Sequence, residues 1–160
     1  MFEFNPDGSL KVQKRTENLT PLANNYVIHG MPAMLSIVES RWIDAAFQHF
    51  KKKNKLYFYT DDKRIQSVMT SDIAKVYIKS KGSNEVEYVA ELIEITEENQ
   101  KEYRLEGYEN EIGLFYYGFK NLRRLHKSIP MTDLIYYNTG NYLRNDAQGI
   151  NIILDLESLE

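Results

Sequence analysis

The chain has 160 residues, with 20 basic and 23 acidic side chains, three His and no Cys. That length fits one domain able to bury roughly two thirds of its unfolded surface, and 42% hydrophobic residues argue against intrinsic disorder. The missing Cys excludes disulfides, thiolate catalysis and cysteine-held zinc or iron–sulfur clusters, and a net charge of −3 is not the strongly basic balance of a protein that coats nucleic acid by bulk charge.

Residues 1–24 read as a loosely held, turn-rich arm, with Asn5-Pro6-Asp7-Gly8 as the turn and Phe2 and Phe4 as its anchors. The start Met1-Phe2-Glu3-Phe4 has no basic cluster and no apolar run, so no secretory signal is expected. Residues 18–38 form the longest uncharged stretch but carry Asn, Thr, Pro, His and Gly, too broken to span a bilayer. The expectation is a cytoplasmic protein without a membrane segment, its main domain at residues 25–160.

Within that domain, Tyr26-Val27-Ile28-His29 reads as a first strand ended by Gly30 and Pro32. A helix is predicted over residues 33–49, because Leu35, Val38, Trp42, Ala45, Ala46 and His49 form one apolar stripe. Its Lys-rich end suits the negative pole of the helix dipole. Leu56-Tyr57-Phe58-Tyr59-Thr60 reads as a strand with Tyr57 and Tyr59 on the outer phase. Asp61-Asp62 opens a turn and a short helix to Met69. Residues 75–79 alternate with Val76 and Ile78 inward, and Lys81-Gly82-Ser83-Asn84 turns the chain back into residues 86–95. That segment fits strand or helix; its β-branched content and the preceding hairpin favour a strand with a bulge near Ala90 to Leu92. A strand is predicted over residues 113–119, an extended piece then a helical turn capped by Thr132 over residues 128–134, and a last strand from Ile150 to Leu156. The sum is α+β: a small curled β-sheet or mixed β-barrel with one main packed helix.

Charge is divided along the chain. Residues 1–80 carry 12 basic and 8 acidic groups, net +4; residues 81–160 carry 8 and 15, net −7, which suggests separate faces. Basic clusters stand at Lys51, Lys52, Lys53 and Lys55, and at Lys120, Arg123, Arg124 and Lys127. The first also fits a solvated helix end, and the second could pair with the acidic run at residues 85–111. On a nucleic-acid surface both would hold phosphates. The 12 Tyr are the unusual feature. Exposed Tyr stacks well on bases, and Tyr57, Tyr59, Tyr116 and Tyr117 on predicted strands are the candidate stacking residues; half-wet β positions also favour Tyr without any ligand. Trp42 and His49 read as core. His29 is the one His that could act as a general base, with Asp61 as its carboxylate. No HExxH, GxSxG, P-loop or GxGxxG motif occurs.

The order of a strand ending at Gly30, a helix, Leu56-Tyr57-Phe58-Tyr59-Thr60, the hairpin of residues 74–78 with residues 88–92, and Ile129-Pro130-Met131-Thr132-Asp133-Leu134 resembles the PUA-like superfamily, particularly its EVE and ASCH branches. The resemblance covers about residues 25–156. It implies a curled barrel whose pocket binds RNA or modified bases, with Gly30, Met31, Ser36, Tyr59 and Thr60 near it. The leading expectation is therefore a binding module for RNA or an extruded or modified base in DNA, without a cofactor. A protein-interaction or structural module, including a homo-oligomer built on the opposed charge halves, is the second. A His29-dependent hydrolase is the third.

Overall fold

The computed structural model describes residues 3–4, 10–11 and 26–158, with side chains over residues 30–155. Among the described residues, eight strands and two helices appear in chain order. Strands β1 (Glu3–Phe4) and β2 (Leu10–Lys11) pair antiparallel. The main body holds β3 (Tyr26–Val38), α1 (Ser40–Phe50), β4 (Leu56–Thr60), α2 (Ile65–Met69), β5 (Lys75–Ser80), β6 (Glu85–Thr96), β7 (Phe115–Pro130) and β8 (Ile150–Ser158). Single 3-10 turns stand at Lys101–Tyr103 and Met131–Asp133. The arm's proposed turn and its Phe2 anchor lie outside the described residues.

Six strands make one mixed sheet in the order β4-β7-β6-β5-β3-β8. Only β3 and β5 run parallel. The fold is α+β, as expected, but the sheet is not closed: β4 and β8 are its edges. It is nevertheless strongly coiled. Registered neighbours lead from Ser36 through Ile78 and Tyr88 to Arg124 on β7. Tyr117 lies seven residues from Arg124, about 23 Å along a flat strand, yet the Ser36 and Tyr117 hydroxyls meet at 2.7 Å. Register shifts along β6 and β7 supply the bending. The shifts expected near Ala90 to Leu92 are present. One extra residue sits on β7 as Asn121, whose φ is +53°, and one on β6 as Ile93.

The expected boundary between first strand and helix is corrected. Strand β3 does not stop at Gly30 but continues to Val38, and α1 begins at Ser40. The cause is burial on both faces: Met34, Leu35, Ser36 and Ile37 are all buried, so Leu35 and Val38 imitate a helical stripe without belonging to one. Pro32 is tolerated because its pairing is to β8 alone; the partnership with β5 begins at Met34. The helix instead drives Ile43 and Ala46 into the core, worth roughly 1.5–3 kcal/mol for a side chain such as Ile43. Strand β7 likewise runs on to Pro130, and that proline, not Thr132, occupies the cap position of the turn that follows.

Two cores flank the sheet. One joins α1 to Met34, Leu56, Val76, Ile78, Ala90, Phe119 and Ile150, with Phe47 against Tyr88 and Phe50 against Phe119. The other places Leu134, Ile135 and Leu143 over Leu35, Ile37, Tyr77, Val89 and Ile153. The open side between the sheet edges is bridged by side chains. Asp62, just after β4, accepts the Ile150 amide at 2.9 Å, and Arg64 donates to the Gln148 carbonyl at 2.8 Å. No helix among the described residues is long and apolar enough to cross a membrane.

Candidate aromatic cavity

A cavity of about 270 Å³ opens where the end of β3, the start of α1, β4 and the connection of residues 97–114 meet. Trp42, Tyr57, Phe58, Tyr59, Tyr108 and Tyr117 form its aromatic wall, and Lys81, Arg104, Glu39 and Glu111 supply charge. This size is at the small end of the roughly 300–1,000 Å³ common for ligand pockets, so it admits one ring system rather than an extended chain.

Each wall residue has a local cause. Tyr57 stands opposite Gly118 in the β4–β7 ladder, and a Cβ at Gly118 would lie 2.5 Å from the Tyr57 ring. The glycine thus lets the ring lie down on β7. Its hydroxyl donates to Glu94, and burial, followed by that carboxylate's bond and charge, pushes the phenol far above its ordinary pKa. Tyr117 is buried and meets Ser36; burial raises its phenol to about 12. Both rings are therefore neutral walls at physiological pH. Trp42 meets Tyr108 edge to face at 4.9 Å, and Arg41 lies 4.7 Å from the Trp42 ring centroid while pairing with Glu39 at 2.8 Å.

Arg104 holds the 97–114 connection in place. Its Nη1 donates to Asn99 Oδ1 at 2.7 Å and to the Glu111 carbonyl at 2.9 Å. Its guanidinium lies between the Tyr59 and Tyr116 rings, 5.5 and 5.2 Å from their centroids. Burial lowers its pKa against the opposing pull of Tyr116, Glu111 and Tyr59.

Of the residues singled out from sequence, Tyr57, Tyr59 and Tyr117 line this cavity. Gly30, Met31, Ser36, Thr60 and Tyr116 are not among its lining residues. Gly30 sits within β3, Met31 is exposed, Ser36 backs the wall through Tyr117, Thr60 accepts the Asp62 amide at 3.0 Å, and Tyr116 backs Arg104. The candidate stacking residues do not form an exposed set: Tyr57, Tyr116 and Tyr117 are buried, and Tyr59 alone of the four is exposed, at 40%.

The basic clusters do not line the cavity. They meet beside it, where Asn54 Nδ2 donates to Asn121 Oδ1 at 2.8 Å. Lys51, Lys52 and Lys53 follow α1 and are exposed. Lys53 and Lys55 lie 5.6 and 4.7 Å from the Tyr103 centroid, and Lys55 also reaches the Tyr57 ring at 5.5 Å. Arg123 and Lys127 are exposed on β7. Arg124 lies over Tyr88 and pairs with Glu87 at 3.1 Å, so the second basic cluster meets the acidic run across β6 and β7 at this point.

The His29 side chain lies outside the described residues, and Asp61 accepts the Leu114 amide at 2.9 Å. Among the described residues no group of three or more His, Asp and Glu is placed to hold a metal ion. Sequence reasoning missed Arg104, Tyr108 and Lys81, and read Trp42 as core. The available signal was Arg104 itself, one of two cations among ten Glu and flanked by Tyr103 and Tyr108. Comparison with known proteins returns no match to a family model and none to a curated protein.

Proposed function

We propose that the chain is a nucleic-acid-binding module that takes one planar base, extruded from RNA or carried as a modified base in DNA, into the aromatic cavity. The observation that carries this reading is the convergence of Trp42, Tyr57, Tyr59, Tyr108 and Tyr117 on one small cavity. Such walls stack on any base, and extrusion is least costly from single strands or altered pairs. The joined strip of Lys51 to Lys55 with Arg123 and Lys127 would receive backbone phosphates, Lys55 linking it to the cavity through Tyr57. The coiled mixed sheet with α1 packed on it supports a PUA-like fold as the accompanying proposal.

A labelled 12-nucleotide single-stranded RNA, followed by fluorescence anisotropy, tests this, alongside a DNA duplex with one modified cytosine. Binding should weaken as salt rises. Tyr59→Ala should cost about 1–3 kcal/mol, roughly 5- to 150-fold in affinity. No salt-dependent binding of either probe would refute the reading. A second reading, a protein-interaction module, draws on Ile112 and Leu114, 76% and 49% exposed beside Tyr59. Light scattering that finds a dimer lost on Ile112→Asp would favour it.

A further inference from the structure

Resting on the base-binding reading, the charges of the cavity say more about its occupant. Arg104 is 5% exposed and lines the cavity. Only its Nη1 is used by hydrogen bonds to the protein; Nε and Nη2 have no partner among the described residues. No carboxylate pairs with it there either. The Glu111 and Glu109 carboxylates act on it only from beyond ion-pair distance; a buried guanidinium without a carboxylate in contact is costly, and the two tyrosine faces offset that cost in part. Two adjacent N–H groups on a rigid plane are the geometry that grips phosphate or carboxylate in a bidentate way.

Lys81, exposed on the same wall, likewise has no ion-pair partner among the described residues. Of the two acids in the lining, Glu39 is taken by Arg41. Glu111 gives its backbone carbonyl to Arg104 Nη1, and its carboxylate acts on the guanidinium only through space, so no hydrogen bond from the protein occupies the Nε–Nη2 edge.

We infer that the occupant carries an anionic group as well as a ring: its phosphate seats on the Nε–Nη2 edge of Arg104 with Lys81 as second cation. The ligand is thus a nucleotide rather than a bare base. It is supplied either as a free 5′-monophosphate or as a nucleotide turned out of a strand.

Isothermal titration calorimetry at low salt on the full chain tests this, with adenosine, uridine, their 5′-monophosphates and the trinucleotide UUU. The monophosphates should bind at least tenfold more tightly than the nucleosides. That ratio should collapse towards one in Arg104→Gln and fall several-fold in the exposed Lys81→Gln, with circular dichroism checking that both fold. Should Arg104→Gln fail to fold, the wild-type ratio and Lys81→Gln decide. Equal affinity of nucleosides and monophosphates for the wild type would overturn the anion site while leaving base binding intact. No heat from any of the five ligands would overturn both. A trinucleotide tighter than UMP assigns the phosphate to a strand, and UMP equal to or tighter than the trinucleotide assigns it to a free nucleotide; either supports the site.

Discussion

Gly118 decides where a tyrosine goes. In Tyr57 and Tyr59 the alternation of β4 reads as an outward phase, and outward aromatics on a strand read as surface. The ring of Tyr57 is instead wholly buried, because its registered partner has no side chain. Gly118→Ala would set a Cβ 2.5–2.9 Å from three atoms of that ring. Overpacking of this kind costs about 1–3 kcal/mol, to be read as a lower urea midpoint with an unchanged slope, and the displaced Tyr57 should also weaken RNA binding. A midpoint equal to wild type would show that the ring does not depend on the glycine. Tyr116 and Tyr117 mislead in the same way: both lie in the first five residues of β7, which are all buried, where period-two alternation carries no information about exposure. Arg104 shows the converse, a charged residue placed inside by two aromatic faces that are distant in sequence.

Among elements, the short strands bounded by turn residues were legible. Strand β4 falls at residues 56–60 as the sequence indicates, β5 and β6 form the expected hairpin, and the choice of strand for residues 86–95 holds. The β3–α1 boundary was not, since a doubly buried strand running into an amphipathic helix keeps a helix-like apolar spacing across Glu39-Ser40-Arg41, with no Gly or Pro at the junction. The tie across the sheet edges was also invisible, because it joins Asp62 and Arg64 to residues nearly ninety positions away. It makes a pH prediction. Burial alone would raise the Asp62 carboxyl, but the Arg64 side chain and the Ile150 and Arg64 amides outweigh it and hold its pKa below 3.8. A depressed carboxylate contributes stability that is present above its unfolded pKa and lost as pH falls through its folded one. Asp62→Asn should therefore destabilise the protein by about 1–2 kcal/mol at pH 7, with the deficit shrinking below pH 4. Thermal unfolding across that range checks it, and a deficit that stays constant on acidification would exclude the ionised tie.

At the scale of the whole molecule, part of the acidic run is engaged by neighbouring strands. Glu87, Glu91 and Glu94 are engaged by Arg124, Asn121 and Tyr57, so three of the ten Glu at residues 85–111 help to hold β6 against β7 and β4. What this leaves exposed is a basic strip beside an aromatic cavity, with the sheet coiled enough for Ser36 and Tyr117 to meet. The central claim is that a base enters that cavity. Trp42 is the only tryptophan and lines it, so its emission reports the event directly. Titration with a six-nucleotide single-stranded RNA should quench Trp42 fluorescence saturably, with the same midpoint as the anisotropy of the labelled strand. RNA that binds by anisotropy while Trp42 emission stays constant would contradict the account, because the strand would then be held without a base in the cavity.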